Sequence, residues 1–222
     1  MSQGITGADI EAKAERQENA GHIFDAFDLY LDAIKIYDNS GNPGAASRLR
    51  RHLEVLLLKE NVQPLFNYAA AKGNSAGQVE SQARAARHPE GSGGSTELFE
   101  RAARLREITA LVYAVAGRKC SDANDPGGAA DLQKLAAQMY SLAGGDHEAA
   151  AKREPLPRDE KEAKREYLAA RADRLKSADF HSQAAYNFAL VNELGHTREE
   201  EAAETAERQK ADRDEYDSKF WR

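Results

Sequence analysis

What most restricts this chain is something it lacks. Nowhere do valine, isoleucine and threonine alternate with polar residues as a half-buried strand requires, while alanine, glutamate, arginine, lysine and leucine dominate. Those five residue types are strong helix formers, so the backbone is predicted to close its hydrogen bonds within helices. The expected fold class is all-α: antiparallel helical hairpins or a bundle, with a long charged helix at the C-terminus. Only 41% of the 222 residues are apolar, so any core has to be built economically. The stretch "AGHIFDAFDLYLDAIKIY", Ala20 to Tyr37, shows one way. Ile23, Phe27, Tyr30, Ile34 and Tyr37 recur at steps of three and four along one stripe, and alanines stand where larger residues would fit. Small side chains at such positions let a neighbouring helix come close.

Turn chemistry divides the chain further. Gly21 separates a helix over Ala8–Ala20 from a second over Ile23–Tyr37, and "DNSGNPG" separates that from a third, "AASRLRRHLEVLLLKEN", amphipathic through Leu49, Leu53, Leu56 and Leu57. Residues 1–71 therefore read as an N-terminal three-helix module, and 72–95, with "ARHPEGSGGSTE", as a linker by composition. A central hairpin is expected over 96–145, starting at a Ser95 or Thr96 cap, broken at "SDANDPGG" and ending at Gly144-Gly145. A second linker, 146–159, precedes a helical region over 160–222. Laying Ala14–Gly41 on Ala172–Glu199 matches Ala14 with Ala172, Ala26 with Ala184 and Tyr30 with Phe188, a faint sign of repeated hairpins.

Charge and motif content exclude several functions. The 31 basic and 37 acidic residues are interleaved, which leaves no basic stripe for nucleic acid. No segment reaches the roughly 18 apolar residues of a membrane span. The first twenty residues contain acidic groups and no apolar core, so neither a secretory signal nor an organellar presequence is expected. The single Cys120 fits a reducing, cytoplasmic setting. His22, His52, His88, His147, His181 and His196 are scattered, with no pair at the spacing of a zinc helix. "GSGGS" follows no strand and lacks a phosphate-binding lysine. Carboxylate runs such as Glu199-Glu200-Glu201 read as solvated helix faces. No enzyme activity, cofactor or metal is expected.

Around Ala14 the pattern becomes more specific: Ala14, Glu18, the Ala20-Gly21 turn, Ala26, Leu29-Tyr30 and Ala33-Ile34. It resembles the first two helices of the microtubule-interacting and transport (MIT) domain, and also one tetratricopeptide (TPR) unit, over about Ala8 to Glu60. Both are helical hairpins that bind peptides. The third helix departs from the MIT pattern at "HLEVLLLKE", and Ile10 alone stands where a tetratricopeptide first helix has a bulky pair. An MIT-like arrangement implies a partner helix between the second and third helices, lined by Leu29, Ile36, Arg50, Leu53 and Leu57. A second candidate surface lies at the C-terminus, where a helix written in Glu, Lys, Arg, Asp and Ala ends in Tyr216, Phe220 and Trp221. Such aromatic anchors dock well, on the chain itself or on a partner. The expected function is a non-enzymatic protein–protein interaction module, an adaptor or scaffold taking protein or peptide helices. The alternative is a structural or assembly subunit of a large intracellular complex.

Overall fold

The computed structural model describes residues 6–86, 93–152 and 160–220. The described residues form eight helices and no strand: α1 (Gly7–Asn19), α2 (Ile23–Asn39), α3 (Pro43–Leu57), α4 (Val62–Ala85), α5 (Gly93–Asp122), α6 (Pro126–Ala151), α7 (Glu160–Leu190) and α8 (Leu194–Phe220). The chain is all-α, and none of these helices is long and apolar enough to cross a membrane. It divides into two compact units, Met1–Leu65 and Phe66–Arg222.

Four of the connections are three residues long and built alike. Each carries one residue at positive φ: Gly21 (81°), Gly41 (73°), Asn124 (60°) and Asn192 (64°). The following N–H then reaches back to close the helix end, from His22 to the Gln17 carbonyl, Asn42 to Tyr37, Asp125 to Cys120 and Glu193 to Phe188, each at 2.9 Å. Glycine and asparagine are the residues that adopt this left-handed conformation at low cost. Asn42 and Asp125 next cap the helices that follow, accepting from Ala45 N–H (3.2 Å) and Gly128 N–H (2.9 Å). Pro43 and Pro126 stand just inside those helices, where the missing N–H costs nothing. Connections this short fold each helix back antiparallel to the one before.

In the N-terminal unit, α1 starts on a capping box between Thr6 and Asp9 and packs on α2, which packs on α3. Ala14, Ala26, Ala33 and Ala46 are completely buried, and Leu49, Leu53, Leu56 and Leu57 fill the rest. Polar ties join the three helices. Glu18 accepts from Tyr30 Oη (2.9 Å), and pairs with His52 (2.7 Å) and Lys59 (2.5 Å). Burial raises the Glu18 carboxyl, but these three donors outweigh it and hold it at about 2. Tyr37 Oη donates to Glu11 (2.9 Å), which also pairs with Arg48 (2.7 Å). Because Ala26 is completely buried, Ala26→Leu should overpack the N-terminal unit and cost about 1–3 kcal/mol. Urea unfolding of the two proteins reads this directly, and an unchanged midpoint would remove the close contact.

In the C-terminal unit α5 packs on α6, α6 on α7 and α7 on α8, with α8 also touching α6. Two expected linkers differ here. Residues 72–85, read as linker, are helical within α4: Ala69, Ala76, Val79 and Ala83 are buried at steps of seven, three and four, so packing overrides the loop-like "KGNSAG". The helix expected to end at Gly144-Gly145 runs on to Ala151. A Cβ on Gly144 would stand 3.1 Å from the Ala170 carbonyl oxygen and 3.0 Å from Arg174 Cγ, so this glycine serves the close approach of α7. Residues 93–95 of the first expected linker are helical within α5, which begins at Gly93 rather than after a Ser95 or Thr96 cap, while 87–92 and, in the second, 153–159 lie outside the described residues. The matched hairpin also fails to repeat. Ala172, Ala184 and Phe188 all sit within the single helix α7, which has no turn where α1 and α2 have Gly21.

Candidate functional site

The interior of the C-terminal unit is lined with alanine, and charged side chains cross it at successive levels. Helical geometry explains how. Asp146, His147 and Glu148 are consecutive on α6, so at about 100° per residue they fan toward different neighbours. Asp146 takes Arg106 of α5 at 2.5 Å, and Arg106 also pairs with Glu80 of α4 and donates to the Leu142 carbonyl (3.2 Å). Burial pushes the Asp146 carboxyl up to about 6 against the pull of Arg106. Glu148 pairs with Arg174 of α7, whose Nη1 lies 3.1 Å from Asp214 of α8.

Between these two levels stands His147. Its Nδ1 is 2.7 Å from Glu166 of α7, and its Nε2 is 3.2 Å from Glu107 of α5 and 3.7 Å from Asp173 Oδ2 of α7. Burial pulls the imidazolium down, but the hydrogen bonds and charges of Glu107 and Glu166 prevail and raise it to about 10. The Asp173 carboxyl is pushed up to about 7 by burial and by the Glu107 charge. Glu200, read as part of a solvated run, is buried too, and with Glu207 and Asp214 it recurs every seven residues along α8 on the inward side. Glu200 meets His181 of α7 (2.6 Å) and Lys134 of α6 (3.0 Å), and Glu207 accepts from Ser141 of α6 (2.9 Å).

This ladder fixes α7, and α7 in turn presents an apolar outer edge at its C-terminal end. Tyr186 is 67% exposed and Leu190 57%, and Val191 and Leu194 continue the apolar surface across the α7–α8 turn. Tyr186 and Leu190 border a groove of about 620 Å³. Its other walls are Ser121 of α5, Asn124 of the α5–α6 turn, Pro126 and Gln133 of α6, Asp179, Ser182, Gln183 and Asn187 of α7, and Arg208 of α8. Asn187 Nδ2 donates to Gln133 Oε1 at 2.7 Å, and Arg208 pairs with Asp179 at 3.0 Å. Apolar Tyr186 and Leu190 thus stand beside amides, hydroxyls and one ion pair.

The residues singled out in the sequence are placed differently. Leu53 and Leu57 are 2% and 0% exposed, so they belong to the core and line no open groove. Leu29 and Ile36, two turns apart on α2, are half-buried. Arg50 is exposed and paired with Asp38 at 2.5 Å. Tyr216 is 61% exposed on α8. The Phe220 side chain and Trp221 lie outside the described residues. The groove residues Tyr186 and Leu190 went unremarked, although the apolar positions flanking Asn192 in "YNFALVNEL" carry the signal. No protein-family model matches this chain, and neither a curated protein nor a solved structure shows significant similarity to it.

Proposed function

We propose that the chain is a non-enzymatic protein–protein interaction module, and that the groove beside the end of α7 receives a peptide segment of its partner. The observation that carries this reading is the exposed pair Tyr186 and Leu190 at the rim of that groove. They lie at i and i+4, so they stand on one helix face. Folding leaves both largely uncovered, and a contiguous apolar edge rimmed by polar groups is the usual character of a docking surface. Gln133, Asn187 and Arg208 supply donors and acceptors for a main chain laid alongside. The favoured peptide carries one aliphatic or aromatic anchor for Tyr186 and Leu190 and hydrogen-bonding neighbours for the amides. The helical-hairpin build, with its MIT-like or tetratricopeptide-like opening pattern, agrees with this role and supplies a rigid frame.

Panning a displayed peptide library against the full-length protein tests the reading. Enriched peptides should share the apolar anchor, and Tyr186→Ala with Leu190→Ala should weaken them by about 2 kcal/mol, roughly thirtyfold, with helicity unchanged. No enrichment, or binding indifferent to this pair, would sink it. Insolubility of the isolated chain relieved only by neighbouring subunits would favour an assembly component instead.

A further inference from the structure

We propose that Glu107, His147 and Asp173 form a binding site for one divalent transition-metal ion of the zinc type, with Glu166 as the outer carboxylate that orients the histidine. The three donors come from α5, α6 and α7, and their ligand atoms all lie within 4.8 Å of one another. His147 Nε2 stands 3.2 Å from Glu107 Oε1 and 3.7 Å from Asp173 Oδ2. Two ligands of a tetrahedral ion, each about 2.0–2.1 Å from it, stand about 3.3 Å apart. The two donor separations that involve His147 are therefore close to the required spacing, and the Glu107 and Asp173 oxygens lie within 4.8 Å of each other.

An independent observation points to the same place. Asp173 is 1% exposed, and no donor among the described residues is well aligned on its Oδ2, which lies 3.7 Å from His147 Nε2. A buried carboxylate oxygen left unsatisfied is costly. Its other oxygen, Oδ1, is taken by Lys176 at 3.0 Å, so the free atom is the one turned toward His147 and Glu107. A cation there would satisfy it.

The surroundings have the build of a metal site beyond its ligands. His147 Nδ1 is 2.7 Å from Glu166, and Glu166 is itself held by Arg165 at 3.0 Å. This is the carboxylate–histidine arrangement that fixes the ring and leaves Nε2 for the ion. Glu107, with its side chain 37% exposed, provides the way in from solvent. On binding, the ion takes the Nε2 lone pair and the imidazolium proton leaves to water, a net gain of one positive charge that the carboxylates of Glu107, Asp173 and Glu166 offset.

One hairpin further on, the same histidine–glutamate pair recurs as His181 and Glu200, 19 residues apart in both cases. There Lys134 stands 3.0 Å from Glu200 and supplies the positive charge itself. The His147 level has cationic side chains too, Arg165 on Glu166 and Lys176 on Asp173 Oδ1, and what distinguishes it is the pair of further carboxylates, Glu107 and Asp173, beside Nε2.

Zinc ion alone is the probe. The full-length protein, treated with chelator and carrying His196→Gln to remove the exposed His196 beside Glu193 and Glu199, is titrated with zinc chloride by calorimetry. One ion per chain should bind and raise the melting midpoint. Asp173→Asn keeps the shape of the side chain and should weaken binding by about tenfold or more, and Glu166→Gln by about 10–100-fold. Cobalt(II) at the same site should show visible absorption that Asp173→Asn abolishes. If Asp173→Asn does not fold, Glu107→Gln at the mouth carries the same expectation. Absence of binding in the His196→Gln protein, or binding untouched by these ligand substitutions, overturns the proposal.

Discussion

Arg106→Ala is expected to destabilise the C-terminal unit by about 3–5 kcal/mol, the cost of leaving a buried charge without its partner. Arg106 is 6% exposed and lies between Asp146, at 2.5 Å, and Glu80, and it also donates to the Leu142 carbonyl. Removing the guanidinium strands Asp146, which is 2% exposed, and opens a cavity where the side chain lay. Most of the loss therefore comes from the carboxylate left behind. Arg106→Met combined with Asp146→Leu removes both charges and should recover much of the stability, since a buried pair is often no better than apolar residues of similar size. Urea unfolding of the single and double variants measures both. A cost below about 1 kcal/mol for Arg106→Ala would show that water reaches Asp146 and that the level is not dry.

The second large effect is on pH, and its sign is unusual for a carboxylate. Burial pushes Asp214 from its ordinary 3.8 up to about 7, with the Arg174 charge only partly offsetting it and Glu148 and Asp217 adding to it. Arg174 Nη1 is 3.1 Å from Asp214 Oδ2, yet that oxygen has no well-aligned donor among the described residues. A raised folded value means that the folded state holds a proton that the unfolded chain releases. Its contribution is complete below pH 3.8 and is lost as pH rises through about 7. At about 1.4 kcal/mol per pH unit, this bounds the loss at about 4 kcal/mol. Asp214→Asn cannot ionise, so its stability relative to the parent should climb between pH 4 and pH 8 by an amount up to about that bound. Glu80, Glu148 and Glu200 are held low, so their opposite contribution falls below pH 4.5 and cancels in the comparison. Parallel stability curves for the two proteins would contradict the burial of a protonated Asp214.

The sequence shows the helices and their ends where the signal is local. "DNSGNPG" and "SDANDPGG" are turns because Gly41 and Asn124 take positive φ and Asn42 and Asp125 cap the next helix. Local signal misleads where a distant helix decides the outcome. Gly144 looks like a stop until α7 is seen against it, and "KGNSAG" looks like a loop until Ala76 and Val79 are seen to be buried. The same distance hid the polar interior. Glu200, Glu207 and Asp214 are indistinguishable along α8 from their exposed neighbours, and only Lys134, Ser141 and Arg174 on other helices give them an inside. The histidines look scattered for the same reason, although His147 and His181 each meet a glutamate 19 residues later.

An interior of this composition also sets how the C-terminal unit responds to temperature. Its buried positions are largely alanine, such as Ala102, Ala110, Ala130, Ala137 and Ala178, alternating with Arg106, His147, Asp173, Arg174 and Glu200. Unfolding raises the heat capacity by about 0.45 cal/mol/K for each Å² of apolar surface exposed and lowers it by about 0.26 for each Å² of polar surface. A core of methyl groups and charges therefore gives a heat-capacity increment below the usual 12–15 or so cal/mol/K per residue, and the stability curve is flatter. The desolvation penalty of the charges also shrinks on warming, as ionic hydration becomes less favourable. The broad, shallow curve that results keeps the polar interior folded over a wider span of temperature than an equally stable leucine-filled bundle, with less tendency to cold denaturation.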